Sequence, residues 1–309
     1  MEFVTLEEIR AARTRIENAA VYTPLLDVGG LLLKCENLQP MGAFKIRGAF
    51  NMIAQLSADQ LKRGVITYSS GNHGQAVALA AKSLGAPAVV VMPTTAPAVK
   101  VEGCQGYGAE VIMAGTTSLD RQARAEKEAL ARGLTMVPPF DHRLIVIGQG
   151  TTGLEILEQC PDVGTVFVPA GGGGLVSGVA AAIKLSNPSV RIVAVEPAGA
   201  PKMTRSLEAG HPVTLDSSAS IADGLMNLRP GDITFAHVQK FVDEVVTVSE
   251  TEIAAAVSWL FRNARIVAEP SGAVTTAAVH LGLGHPVGQV VAIVTGGNVA
   301  PEKFAKYIA

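Results

Sequence analysis

Short apolar runs that alternate with amphipathic stretches are the feature that most limits how this chain can fold. The runs are rich in valine and isoleucine, and the segments between them are long enough to be helices. Parallel strands need such crossovers, because the chain must return to the same end of a sheet before the next strand. The pattern therefore predicts an α/β protein with open, mainly parallel twisted sheets flanked by helices. An early strand is predicted around residues 31–35, and the runs that follow are residues 65–68, 88–92, 109–113 and 134–137, and then 166–168, 191–195, 242–248 and 290–294.

These two groups of strands predict two domains. The chain has 309 residues, which is enough for two cores of ordinary size. We assign residues 1–50 and 142–309 to a large domain and residues 51–141 to a small mobile domain. Near the N-terminus, Thr5 followed by Glu8 forms a capping box, which predicts a first helix that ends before Thr23.

The composition limits the partners of the protein. There are 25 Lys and Arg against 27 Asp and Glu, a net charge of -2, so no basic surface for nucleic acid or an anionic membrane is expected. No apolar stretch approaches the roughly 18 residues of a membrane span, and no signal peptide is recognisable. The 3 cysteines have no paired spacing. We therefore expect a cytoplasmic protein that binds a small molecule.

Four consecutive glycines follow a predicted strand and precede an apolar helical segment. They are Gly171, Gly172, Gly173 and Gly174, and we refer to them as the glycine loop. Consecutive glycines let backbone amides converge on an anion, and the helix N-terminus adds the positive end of its dipole. The spacing matches neither Walker A nor the dinucleotide fingerprint. The run indicates either a phosphate-binding loop or a tight turn between a strand and a helix.

Two further segments carry chemical groups at the start of predicted helices. Residues 69–74, Ser-Ser-Gly-Asn-His-Gly, follow a strand, and the carboxyl ends of strands in open parallel sheets bind ligands. Their hydroxyls and amides suit a carboxylate, although a capped turn uses the same residue types. Lys45 lies between apolar neighbours, where burial and the helix dipole would lower the pKa of its amine. Such an amine can condense with a carbonyl, whereas most lysines are solvated surface charges.

Five segments in this order resemble the fold-type II pyridoxal-phosphate (PLP) enzymes, and more narrowly the threonine/serine dehydratases and serine racemases. They are the segment around Lys45, residues 69–74, the glycine loop, residues 269–273 (Glu-Pro-Ser-Gly-Ala) and residues 295–298 (Thr-Gly-Gly-Asn). The resemblance implies the fold of the tryptophan synthase β chain, PLP as cofactor and a homodimer.

The resemblance also implies residue roles. Lys45 would carry PLP and remove the α-proton of the substrate, and Ser70 would act as the second catalytic residue on the opposite face. Asn72 would bind the phenolic oxygen of the cofactor, the glycine loop its phosphate and Thr295 its pyridine nitrogen. The implied cofactor-binding residues are Phe44, Lys45, Asn72, the glycine loop, Gly224, Glu269 and Thr295. The implied substrate-binding residues are Ser69, Ser70, Asn72, His73 and Arg121.

The resulting prediction is a dehydratase that converts L-threonine or L-serine to a 2-oxo acid and ammonia. A serine racemase, or a dehydratase or racemase of 3-hydroxyaspartate, is the alternative on the same site. A nucleotide-binding protein that uses only the glycine loop is a remote alternative. Arg121 bears on the choice, because it either binds a second substrate carboxylate or is an exposed arginine paired with Asp120 or Glu128.

No metal is expected. In metal-activated relatives, a carboxylate, a backbone carbonyl and a second carboxylate bind a divalent cation. Glu196 and Ala200 fit the first two positions of this set, but Lys202 takes the third. An ammonium group there would repel a metal ion.

Overall fold

The computed structural model of the chain describes residues 2–69, 71–96 and 98–309. The strands are β1 (Leu25–Val28), β2 (Leu31–Cys35), β3 (Val65–Tyr68), β4 (Ala88–Met92), β5 (Glu110–Met113), β6 (Thr135–Met136), β7 (Val163–Pro169), β8 (Arg191–Pro197), β9 (Glu244–Val248) and β10 (Gln289–Val294). The helices are α1 (Leu6–Ile16), α2 (Ile46–Ile53), α3 (Ala58–Arg63), α4 (Asn72–Ser83), α5 (Ala98–Gly106), α6 (Ser118–Arg132), α7 (Arg143–Gln159), α8 (Gly174–Ser186), α9 (Lys202–Ala209), α10 (Asp232–Phe241), α11 (Glu250–Trp259), α12 (Pro270–His280) and α13 (Pro301–Ile308).

The strands form two sheets. The larger has the order β1-β2-β10-β7-β8-β9, and the smaller has the order β5-β4-β3-β6. Every pairing is parallel except that of β1 with β2, in which Leu25 lies opposite Lys34. The predicted α/β fold is confirmed, and each predicted strand is present with shifted ends. The division into domains and the homodimer remain predictions.

The first helix follows the sequence rule that predicted it. The Thr5 hydroxyl accepts a hydrogen bond from the Glu8 amide at 3.3 Å, and the Glu8 carboxylate accepts one from the Thr5 amide at 2.9 Å. These bonds satisfy donors that a helix start leaves free. The unpredicted strand β1 lies at the edge of the large sheet, where its residues are mostly half-buried.

The central strands of the large sheet are covered on both faces by helices. Phe167 on β7 points to the layer that contains α11 and α12, and its neighbours Val166 and Val168 point to the layer that contains α7 and α8. All three are fully buried, as expected for a parallel sheet covered on both faces. Within the described ranges, no helix is long and apolar enough to cross a membrane.

Helix α2 lies between the two sheets and packs closely against α7. A Cβ atom on Gly148 of α7 would lie 2.7 Å from the Cα atom of Gly48 of α2, so the two helices meet backbone to backbone. The other side of α2 packs against α4, the helix that follows β3 of the small sheet. The position of α2 is therefore fixed by both parts of the fold.

A cluster of four buried charges holds α2 in this place. We call Lys34, Glu36, Arg47 and Glu155 the charge cluster. Arg47 on α2 donates to both oxygens of Glu36 at 2.7 Å, and it donates to Glu155 of α7 at 2.6 and 2.9 Å. Lys34 of β2 reaches the same Glu155 at 2.6 Å. Burial alone would raise the pKa of Glu36, but the Arg47 guanidinium outweighs it and the pKa stays below its usual value.

We predict that Arg47→Met lowers the free energy of unfolding by ~3–5 kcal/mol, because it leaves Glu36 buried without its counter-charge. The measurement is a urea titration followed by circular dichroism. The control is Arg132→Ala, which removes an exposed arginine paired with Glu110 at 2.7 Å and should cost less than about 1 kcal/mol. Equal effects of the two substitutions would contradict the prediction.

Candidate active site

The candidate site lies where parallel strands of both sheets reach their carboxyl ends. In the large sheet, Lys45 follows β2, the glycine loop follows β7 and Thr295 follows β10; in the small sheet, residues 69–74 follow β3. Ligands of open α/β sheets bind at such ends.

Lys45 lies at the N-terminus of α2 with its amine half-buried. Its Nζ donates a hydrogen bond to the Pro139 carbonyl oxygen at 2.7 Å and lies 5.1 Å from the centre of the Phe44 ring. The Phe44 amide donates to the Thr295 carbonyl at 3.1 Å, which ties this segment to the end of β10. Burial lowers the pKa of Lys45 to about 8. The direction agrees with the expectation from the sequence, and the amine is therefore partly neutral near neutral pH.

The glycine loop leaves its amides free. Within residues 2–69, 71–96 and 98–309, none of its four amides donates to a protein acceptor, although Gly172, Gly173 and Gly174 are buried. Buried backbone donors are almost always paired, so these amides indicate a ligand that accepts hydrogen bonds. Gly173 has a φ of 101°, which favours glycine over any other residue.

A segment that the sequence analysis did not single out connects Lys45 with the glycine loop. Pro139 binds the Lys45 amine, and the next residue, Phe140, packs on the loop. A Cβ atom on Gly172 would lie 2.4 Å from the Phe140 ring, so that position accepts only glycine beside this ring. Nothing in the sequence pattern pointed to Pro139, because its contribution is a backbone carbonyl.

Asn72, at the start of α4, is held by groups from the large sheet. Its amide nitrogen donates to Glu269 Oε1 at 2.6 Å, and its amide oxygen accepts from Asn298 Nδ2 at 2.9 Å. Burial raises the pKa of Glu269 to about 7, and the nearby Asp223 carboxylate adds to this. Asn298 had no predicted role, although it belongs to segment 295–298.

Thr295 and Gly224 are connected through Ser271. The Gly224 amide donates to Ser271 Oγ at 2.9 Å, and Thr295 Oγ1 donates to the Ser271 carbonyl at 3.3 Å. The proposed cofactor residues around Lys45, Asn72, Glu269 and Thr295 therefore occupy one region. Ser271 was also without a predicted role.

The structure brings together fewer of the residues predicted to bind substrate than of those predicted to bind the cofactor. Ser70 lies outside the described residues. Ser69 Oγ accepts a hydrogen bond from the Gly71 amide at 3.1 Å. The ring of His73 is buried, and its Nε2 lies 3.0 Å from the Val137 carbonyl. Burial, with a contribution from Lys45, lowers the pKa of His73 to about 3, so its imidazole is neutral.

The structure corrects one interpretation of Arg121. Glu128 pairs with Arg124 and Arg132, and the Asp120 carboxylate accepts the amides of residues 116 and 117 at the start of α6. In the part of the chain that the structure describes, Arg121 forms no salt bridge, and its buried Nε has no hydrogen-bond partner. Of the two interpretations, the pairing of an exposed Arg121 with Asp120 or Glu128 is therefore wrong, because the guanidinium is half-buried and paired with neither.

Comparison with known proteins gives consistent results. The model of the family described as "Pyridoxal-phosphate dependent enzyme" matches residues 10–296. The chain is 43% identical to the L-threonine ammonia-lyase of Thermotoga maritima, over 96% of this chain and 76% of that protein. It is 41% identical to a serine racemase of Oryza sativa subsp. indica, over 95% of this chain and 91% of that protein.

Solved structures show the same similarity. Maize serine racemase superposes with a TM-score of 0.95 at 39% identity, covering 99% of this chain and 97% of that one. The processed form of threonine deaminase isoform 2 from Solanum lycopersicum has a TM-score of 0.91 at 37% identity, covering 98% and 86%. The chain spans 59% of the biosynthetic L-threonine dehydratase of Escherichia coli K12.

The pKa of Lys45 generates a prediction about its reactivity. Because only the neutral amine attacks an aldehyde, the rate at which PLP attaches to the cofactor-free protein should rise from pH 7 and level off above about 8. Stopped-flow absorbance measures this rate, and borohydride followed by peptide mapping identifies the modified lysine. A rate that still rises steeply above pH 10, as for an ordinary lysine, would contradict the prediction.

Proposed function

The chain belongs to the family of pyridoxal-phosphate dependent enzymes, and from that premise we propose that it converts L-threonine or L-serine to a 2-oxo acid and ammonia. The observation that supports the proposal most directly is the presence of a half-buried amine of low pKa, Lys45, near a loop whose amides donate to no acceptor in the described residues. Relatives named threonine ammonia-lyase and serine racemase support the same class of substrate.

The residues of the site fit the cofactor. Four free amides at the N-terminus of α8 suit a phosphate, which needs several donors and is stabilised by the helix dipole. Lys45 supplies an amine that is partly neutral and can join an aldehyde, with Phe44 beside it. Asn72 and Thr295 offer uncharged hydrogen-bonding groups to the ring.

When bound, PLP withdraws electrons from an amino acid attached to it and so stabilises negative charge at the α-carbon. Lys45 is the group of this chain that can accept the α-proton, because its pKa of about 8 makes it a usable base near neutral pH. The Pro139 carbonyl holds the amine when it is free, at 2.7 Å. This hydrogen bond limits how far the base can move between proton transfers.

The residues around the ring favour elimination. Thr295 provides a hydroxyl instead of a carboxylate, so beside a bound cofactor it would place no negative charge that keeps the pyridine nitrogen protonated. The buried His73 is neutral and adds no charge. A weaker electron sink favours rapid departure of a β-leaving group. Threonine loses water at its β-carbon and regains it on release, so the net products are 2-oxobutanoate and ammonia.

The test is a substrate panel. Purified protein should absorb visible light, and it should release 2-oxo acid and ammonia in equal amounts from L-threonine and L-serine. Lys45→Ala should abolish turnover, because it removes both the amine that would hold the cofactor and the base that would take the α-proton, whereas Lys62→Ala on the exposed face of α3 should not. Activity unchanged in Lys45→Ala would overturn the proposal.

Racemisation is a second candidate, because the serine racemase relatives match almost their full length. The same incubations, read for product chirality, distinguish the two reactions. Formation of D-serine faster than of 2-oxo acid would make the protein mainly a racemase.

Arg121 bears on the range of substrates. Arg121 lies in the first turn of α6, beside the carboxyl edge of the small sheet, and its guanidinium donates to the Thr116 carbonyl at 3.4 Å but forms no salt bridge with any described residue. An arginine in this state suits bidentate binding of a carboxylate. We propose that Arg121 binds the second carboxylate of a substrate such as 3-hydroxyaspartate.

For this substrate, Arg121→Ala should reduce kcat/KM selectively. The expected loss for 3-hydroxyaspartate is ~1.5–3 kcal/mol, the size of a charged hydrogen bond, with threonine and serine nearly unaffected. Arg124→Ala, which removes an arginine paired with Glu128 on the same helix, is the matched control. A similar loss for all three substrates would show that Arg121 is structural.

A further inference from the structure

Lys202 is a fully buried lysine outside the mechanism described above. It begins α9, and its side chain is 0% exposed. Its Nζ donates to the carbonyl oxygens of Ala170 at 2.9 Å and Ala200 at 3.1 Å, and it lies 3.0 Å from Glu196 Oε1. Three oxygen atoms thus surround one ammonium group, one from the end of β7 and two from the stretch between β8 and α9.

The Glu196 carboxylate, which pairs with Lys202, also stabilises the start of α9. Glu196, at the end of β8, is also 0% exposed. It accepts hydrogen bonds from the amides of Met203 at 2.8 Å and Thr204 at 2.9 Å, and from the Thr204 hydroxyl at 2.9 Å. Glu196 therefore caps the start of α9 while it neutralises Lys202. Removing the ammonium would leave this carboxylate buried without a counter-charge.

Lys202 also adjoins the glycine loop. Ala170, whose carbonyl it binds, is the residue directly before Gly171. The next residue after Lys202, Met203, packs against the loop, since a Cβ atom on Gly173 would lie 3.2 Å from Met203 Cε. The lysine therefore fixes the peptide through which β7 enters the loop.

We propose that the Lys202 ammonium is an internal cation that holds the glycine loop in its anion-binding shape. Lys202 is a positioning residue, because it acts on the phosphate only through the Ala170 peptide. With the ammonium removed, the Ala170 and Ala200 carbonyls and the Glu196 carboxylate form a vacant site of three oxygen ligands. Oxygen atoms of this kind bind small hard cations, so an added cation should take the place of the ammonium. The proposal rests on the proposed function in one respect, namely that the loop binds the phosphate of PLP.

The experiment compares PLP affinity among four proteins: wild type, Lys202→Ala, Lys202→Met and Lys184→Ala. Lys184 pairs with Asp243 at 2.8 Å near the surface and serves as the matched control. The dissociation constant for PLP is measured from cofactor fluorescence at constant ionic strength. Titrations use methylammonium, potassium or calcium ions, with tetramethylammonium as a cation too large for the site.

Lys202→Ala should raise the dissociation constant at least about tenfold, as expected when a charged hydrogen bond is lost. Saturating amounts of at least one small cation should restore most of the affinity, and tetramethylammonium should not. The Lys202→Met variant should bind PLP weakly, and added cations should not improve its affinity, because the methionine side chain fills the space left by the lysine. Lys184→Ala should resemble the wild type, and a chelator should leave the wild type unchanged.

The contrary outcomes are equally definite. The proposal is wrong if the Lys202→Ala variant binds PLP like the wild type. It is also wrong if this variant binds PLP weakly and no added cation improves the affinity. If that variant does not fold, Glu196→Gln/Lys202→Met provides the test, because it removes both buried charges together. This neutral pair should bind PLP weakly; wild-type affinity would mean that the ion pair only stabilises the fold. Turnover of threonine is assayed separately, so a protein that binds PLP but eliminates nothing refutes the proposed function alone.

Discussion

The high cost of burying a charge without a partner governs the arrangement of this molecule. Each charge of the charge cluster is satisfied by another, and the four groups come from β2, the turn after it, α2 and α7. Two positive and two negative side chains sum to zero, so the cluster fixes α2 without burying a net charge. Arg47 lies two residues beyond Lys45, so this pairing also fixes where the reactive amine begins.

The low pKa of Lys45 has a different origin from the charge cluster. Burial is the sole cause of its shift to about 8, without a contribution from any charged neighbour. A net negative cluster so near would have stabilised the ammonium form and raised the pKa instead. The fold therefore separates two tasks, because strong ion pairs locate the helix and an uncharged environment leaves the lysine reactive.

Sequence patterns predicted the parts of the fold and site that depend on local residue order. The alternation of apolar runs was sufficient for both sheets, and residues 69–74 and the glycine loop start helices where expected. Strand β1 was missed because its half-buried residues show no clear alternation. The Pro139 carbonyl and the pairing of Asn72 with Asn298 arise from contacts 94 and 226 residues apart, which no local pattern encodes. The partner expected for Arg121 was wrong because Glu128 is shared by two other arginines of the same helix.

The orientation of the peptide units in the glycine loop depends on the donors that bind its carbonyl oxygens. The Ala170 carbonyl accepts Lys202, and the Gly172 carbonyl accepts the Thr234 hydroxyl at 2.6 Å and the Gly231 amide at 3.2 Å. Because protein donors take these oxygens, the peptide units cannot turn over, and their amides stay free to meet an anion. Glycine permits this backbone, but donors outside the loop select it. The orientation of these amides is therefore a property of three neighbouring segments, and four glycines alone would not produce it.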